Sequence, residues 1–238
     1  MKSSNIATAK IATEKLGAAR LEDYMKRFGM GRKTGIELPD EEAGIFHPRS
    51  KWSQLSLSRL PIGQGIAVTA LQMVGAVNTV ANGGVYMKPT LLKRVTDADG
   101  NLLHEFTPQA LGRPISPKVA ATMQWMMARV CSKEGTARRA MLDQYPAGGK
   151  TGTAQKPVRG GYSSTDYIAS FAGFVPADDP EFTCWSPSTR PARSTRAAWW
   201  RRPCSSRSPR RPSAAHPRPQ PRNHRPLSHP ARLNDSPP

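Results

Sequence analysis

The chain has 238 residues, with 35 Lys and Arg against 17 Asp and Glu, a formal charge of +18. That length suits one sizeable domain or two small ones, and that charge would ordinarily point to nucleic acid or an anionic surface. Its placement excludes the simple form of that idea: Trp185 to Pro238 holds 12 Arg, no Lys, the single acid Asp235 and 12 of the 23 prolines, so +11 sits in a tail and +7 in residues 1–184.

The first 30 residues read as two helices. Ser4 or Asn5 can cap the first, which carries Ile6, Ala9, Ile11 and Ala12 towards a core. Leu21, Tyr24, Met25 and Phe28 follow the i, i+3, i+4, i+7 pattern of the second, and Gly29 supplies its stop. Thr34 to Leu38 is a short extended segment closed by Pro39. Thr69 is placed to cap a helix running to about Ala81, ended by Asn82-Gly83-Gly84.

Leu91 to Val95 and Leu102 to Phe106 flank Asp99-Gly100, a hairpin signal. Ser116-Pro117 opens a further helix with Pro at its first position. Val119, Met123, Met126, Met127 and Val130 are predicted to line its buried face, with the methionines as core filler. Residues 148–155, 167–175 and 181 onward read as successive strands of one antiparallel sheet. After Cys184 both apolar periods vanish, so residues 185–238 are predicted to be a disordered Pro/Arg-rich tail.

Three cysteines, Cys131, Cys184 and Cys204, are too few and too scattered for a disulfide framework or a zinc site, and no metal site is expected. Met1-Lys2-Ser3-Ser4-Asn5 lacks the apolar run of a signal peptide. Ile66 to Ala81, the most apolar stretch, is too short and too polar to span a bilayer. No signal or anchor is therefore predicted within this chain.

Two motifs carry chemistry. Ser3-Ser4-Asn5 puts a hydroxyl and a carboxamide two positions apart at a helix start. Gly148-Gly149-Lys150-Thr151-Gly152-Thr153-Ala154 puts a cation and two hydroxyls on a strand. Alternation places Lys150 and Gly152 on one face and Thr151 and Thr153 on the other, and Gly152 would let a ligand approach the backbone. Alone, the first is an ordinary helix cap and the second an exposed strand end. Together, and in this order, they match the last two of the three motifs S-x-x-K, S-x-N and K-T-G.

The stretches between them make the likeness specific. Arg27-Phe28-Gly29-Met30-Gly31 with Thr34-Gly35-Ile36-Glu37-Leu38-Pro39 resembles the FGxGxxTGIxLP stretch of class B penicillin-binding proteins. Leu60-Pro61-Ile62-Gly63-Gln64-Gly65, Val68 to Gln72, Ala81 to Gly84 and Glu134-Gly135-Thr136-Ala137 also fit, so the resemblance runs from residue 2 to 184. It implies the α/β fold of the serine β-lactamase and penicillin-binding transpeptidase superfamily, an antiparallel sheet flanked by helices, incomplete at both ends. Residues 1–184 would be the C-terminal part of such a domain.

The function implied is a peptidoglycan D,D-transpeptidase that crosslinks stem peptides through a serine acyl-enzyme and takes β-lactams as substrate mimics. No cofactor is implied. Ser3 would pass protons, Asn5 hold the substrate amide, and Lys150 supply positive charge. Thr151, Gly152 and Thr153 would bind the substrate, with the Thr153 N–H in the oxyanion hole. The parent would lie at the bacterial cytoplasmic membrane with an extracytoplasmic catalytic domain, beside cell-division or elongation proteins. A β-lactam sensor or a β-lactamase is the alternative; the long stretch from Phe28 to Pro89 resembles transpeptidases better than either. A basic nucleic-acid-binding protein is the other alternative, but the tail shows no module and few stacking aromatics, so no nucleic acid partner is expected.

One departure matters. No S-x-x-K occurs in the sequence, so the nucleophile is expected upstream and this stretch by itself is expected to be inactive. The tail reads as out of frame. Trp has one codon, and Ala197-Ala198-Trp199-Trp200-Arg201-Arg202-Pro203-Cys204-Ser205 read one base earlier can spell Gly-Gly-Val-Val-Ala-Ala-Pro-Val-Phe, close to the family's YGGxVAAPVF stretch. A one-base deletion near codon 185 is inferred.

Overall fold

The computed structural model describes residues 3–142 and 144–188. Helix α1 (Asn5–Ile11) is capped by Ser4, whose Oγ accepts from the Ala7 N–H at 3.2 Å. A π turn over Ala12–Leu16 reaches Gly17 at φ 77°, and this left-handed residue redirects the chain into α2 (Ala18–Arg27). Ala12 and Leu21 are buried, but Ile6 is 82% exposed and Ile11 61%, so the expected inward face of α1 is corrected. Ala9, Ala12 and Leu16, spaced i, i+3 and i+7, form the inner stripe, and the two isoleucines lie off it. Tyr24, also expected inside, is exposed on α2.

Residues 30–44 are irregular and are held by two polar side chains. Glu41 accepts from the Thr34 N–H and Oγ1–H at 2.7 and 2.6 Å and from the Gly35 N–H at 2.9 Å. Burial pushes the Glu41 carboxyl up, but those three donors outweigh it and hold the group below its ordinary value. Gln72, fully buried in α4 (Ala70–Ala81), donates to the Arg32 and Ala43 carbonyls, each at 2.8 Å. Its carbonyl oxygen accepts from the Thr69 N–H, while Thr69 Oγ1 accepts from the Gln72 N–H, completing a reciprocal cap. A four-residue helix, α3 (Ser56–Arg59), lies between these segments and packs against α1.

The expected hairpin forms from β2 (Arg94–Thr96) and β3 (Leu102–Glu105), while β1 (Tyr86–Met87) pairs with β4 (Ala110–Gly112). Helix α5 (Pro117–Val130) is capped by Ser116. Ala120, Met127 and Val130 are buried with Met123 beside them, whereas Val119 and Met126 are 45% and 36% exposed. That is a second correction: each exposed residue directly precedes a buried one and so is turned about 100° from it.

The main sheet is β5 (Gly148–Val158), β6 (Gly161–Val175) and β7 (Phe182–Ser188), antiparallel in that order. Val80 of α4, Met127 of α5 and Phe174 of β6 meet beneath it with Ala177. Strand β7 pairs with β6 through Trp185 opposite Ala172 and Pro187 opposite Ser170, so order continues past the expected limit at Cys184. Among the described residues it is an edge strand, where a proline is tolerated that an inner strand would not accept. The tail beyond Ser188, with its expected disorder and shifted frame, lies outside the described residues, as does Cys204.

Candidate functional site

The two motifs, 147 positions apart, meet. Lys150 Nζ donates to Ser3 Oγ at 2.9 Å and to the Thr151 carbonyl at 2.6 Å. Three elements produce that contact. Ser4 fixes the start of α1, the register of β5 against β6 sets Lys150 opposite Ala172, and the packing of α5 on β5 fixes the strand. Ser3 is held at φ 55°, a left-handed conformation unusual for a non-glycine residue. Such positions cost energy and concentrate at functional sites.

Lys150 is half-buried, and burial lowers its pKa from the ordinary lysine value. No carboxylate pairs with it among the described residues. An unpaired, partly desolvated ammonium is available to an incoming anion and gives up a proton more readily than a solvated one. Because Ser3 Oγ accepts from Lys150, its own hydroxyl proton remains to be donated. The pair thus presents a positive charge and a hydroxyl proton side by side.

The other expected residues are placed less tightly. Asn5 stands exposed in the first turn of α1, on the same helix end as Ser3, with no side-chain hydrogen bond among the described residues. Thr151 is half-buried with its hydroxyl 3.5 Å from that of Thr136, which brings the Glu134–Ala137 loop to the site. Thr153 is exposed. Gly152 serves the sheet as well as any ligand, since an added Cβ would lie 2.6 Å from Ser170 Oγ on β6. At Gly149 an added Cβ would lie 2.2 Å from Phe171 Cζ, so Phe171 packs across β5 only because Gly149 has no side chain.

Sequence reasoning missed the amide contact that ties Gln64 to Gln155, Nε2 to Oε1 at 3.2 Å, and the bond from the Gly65 N–H to Tyr162 Oη at 2.9 Å. Both are long-range pairings with no local periodicity or turn chemistry to announce them. Cys131 is no rival nucleophile: burial first, and the Cys184 thiol second, push its pKa up to about 12. No group of residues that could hold a metal occurs among the described residues, and none of their helices is long and apolar enough to cross a membrane.

With this geometry in view, comparisons with known proteins are specific. Residues 1–194 match the penicillin binding protein transpeptidase domain. The chain is 39% identical over 189 residues to penicillin-binding protein PbpB of Mycolicibacterium smegmatis, covering 76% of this chain and 29% of that protein. It is 30% identical over 182 residues to peptidoglycan D,D-transpeptidase FtsI of Escherichia coli, covering 76% of this chain and 29% of that one. Penicillin binding protein 3 of Mycobacterium tuberculosis, solved with ampicillin, superposes with a TM-score of 0.75 at 36% identity, covering 81% of this chain and 44% of the solved one. The chain thus spans less than a third of the length of these curated relatives.

Proposed function

The chain belongs to the penicillin-binding protein transpeptidase family and has the α/β fold of its transpeptidase domains, and we propose that it supplies the S-x-N and K-T-G part of a site that crosslinks peptidoglycan. The single observation that carries the proposal is the 2.9 Å contact between Lys150 and Ser3. The nucleophile is the serine of an S-x-x-K motif, which this sequence does not contain. Without it the 238-residue chain forms no acyl-enzyme.

The contact between the two motifs supports the following roles. A stem peptide ending in D-Ala-D-Ala places its terminal carboxylate against the Thr151 and Thr153 hydroxyls, with Lys150 supplying positive charge beside it. The serine attacks the penultimate carbonyl, passing its proton to the lysine of the same S-x-x-K motif, and the oxygen that becomes negative accepts from the Thr153 backbone N–H. A donor of that kind is worth about 3 kcal/mol in comparable sites. Ser3 hands its proton to the departing D-Ala amine and is recharged through Lys150, while Asn5 holds the peptide amide. The amine of a second stem peptide then attacks the ester and releases the crosslink. A β-lactam enters as a donor mimic and stays bound. We place the parent at the outer face of the bacterial cytoplasmic membrane, alongside proteins of division or elongation.

A chimera tests this: residues 3–184 replace the matching segment of PbpB, so that an S-x-x-K motif lies upstream. The purified chimera is given stem peptides and benzylpenicillin. Crosslinked dimer and a long-lived penicillin adduct are expected. Rapid penicillin hydrolysis would instead make the site a lactamase, and an adduct without crosslinking would make it a sensor.

A further inference from the structure

A pocket of about 170 Å³ lies between the 47–65 segment and the β5–β6 hairpin, lined by His47, Lys51, Trp52, Arg59, Gln64 and Tyr162 among others. Its lining carries two fixed positive charges and no acid, and neither Lys51 nor Arg59 enters an ion pair among the described residues. The hydrogen-bond inventory points the same way. Tyr162 Oη accepts from the Gly65 N–H, and no described residue takes its hydroxyl proton. The Trp52 indole N–H is already spent on the His47 carbonyl at 2.8 Å. Beside the acceptor oxygen of Gln64, whose Nε2 is spent on Gln155, the lining offers the Tyr162 hydroxyl proton and two cations, the complement of a carboxylate. The volume is enough for a carboxylate and its short stem.

The pocket is also tied to the proposed catalytic strand. Gln64 is bonded to Gln155 of β5, five residues beyond Lys150, which is about 17 Å at the rise of a strand. Among the described residues β5 is an edge of its sheet. An extended peptide pairing antiparallel with that edge, its C-terminal carboxylate at Lys150 and Thr151, would run back towards Gln155. Five extended residues also span about 17 Å. We propose that this pocket binds a second, internal carboxylate of the same stem peptide, on a residue preceding its D-Ala-D-Ala end, and so selects peptides that carry that carboxylate free. The proposal rests on the transpeptidase reading for its occupant.

The test uses the 238-residue chain labelled with 5-fluorotryptophan, the Trp52 signal being assigned with Trp52→Phe. Fluorine NMR follows titration with a stem pentapeptide ending in D-Ala-D-Ala, its internal carboxylates free or all amidated, and with glutarate alone. The free-acid peptide should bind at least tenfold more tightly than the amidated one and shift Trp52. The Lys51→Met/Arg59→Gln variant should lose that preference while binding the amidated peptide as before. Equal affinity for the two peptides, or a preference that survives in the variant, overturns the proposal. If neither peptide binds, glutarate separates the two failures. A glutarate-dependent Trp52 shift abolished in the variant keeps the anion pocket and removes the D-Ala-D-Ala reading, and no shift removes the pocket.

Discussion

Lys150 Nζ lies 2.9 Å from Ser3 Oγ, so a lysine near the start of β5 and a serine just before α1 form one polar unit. The lysine has no carboxylate partner among the described residues to offset its desolvation. Desolvated charges of this kind concentrate at functional sites.

That cost sets a pH dependence. The folded-state pKa of Lys150 lies below its ordinary value of 10.5, so between those two values the unfolded chain binds the extra proton. The penalty from Lys150 is therefore present in full at neutral pH and fades as pH rises through the folded pKa. Lys150→Met should match or exceed the parent's stability at pH 7, and its advantage should shrink as pH approaches 10. Urea unfolding at several pH values measures this. A variant less stable at pH 7 would mean that Lys150 is a structural residue.

Glu41 should behave in the opposite sense. Its carboxyl is held low by the Thr34 and Gly35 donors, so its contribution is present above the ordinary value of 4.5 and is lost as pH falls through the folded pKa. Glu41→Gln should remove that acid-limb dependence. Unfolding midpoints of parent and variant, compared between pH 3 and pH 6, are expected to converge at the acid end.

Gln72→Leu should cost about 2–4 kcal/mol. It strands the Arg32 and Ala43 carbonyls, each a penalty of about 1–3 kcal/mol when fully buried and nearer the low end here, where Arg32 is exposed and Ala43 half-buried, and it removes half of the Thr69 cap. Denaturant unfolding of the variant gives the number directly. A loss under 0.5 kcal/mol (about the noise of a surface substitution) would show that water replaces those bonds.

At Gly149 the added methyl of Ala would meet Phe171 Cζ at 2.2 Å. Gly149→Ala should destabilise the fold by about 1–3 kcal/mol, the usual cost of overpacking. Phe171→Leu introduced beside it should recover part of that loss. If the double variant is no better than the sum of the singles, the clash lies with the Ala172 carbonyl, 2.8 Å away, rather than with the ring.

Local chemistry was legible in the sequence, and long-range placement less so. Thr69 and Ser116 cap the helices they were expected to cap, because a cap needs only a hydroxyl next to an apolar period. Asp99-Gly100 turns its hairpin for the same reason. Ile6 and Ile11 misled, since a helix of two turns has too few residues for periodicity to fix its inner face, and small Ala9 and Ala12 took it. Pro187 misled in another way: composition argued against a strand, but its edge position among the described residues removed the objection. Ser3 and Lys150 were named from motif order, whereas Gln64, Gln155 and Tyr162 met only through the tertiary fold.

The most direct test of the central claim is the rate at which a fluorescent penicillin labels the PbpB chimera carrying residues 3–184. The parent chimera should give a labelled band that survives denaturation. Lys150→Ala and Ser3→Ala should slow labelling by about 10²-fold or more, the range for removing a positioned proton-transfer group, and the 238-residue chain alone should give no band. Labelling of that chain alone, or of the Lys150→Ala chimera at the parent rate, would contradict the assignment of Ser3 and Lys150 to a transpeptidase site.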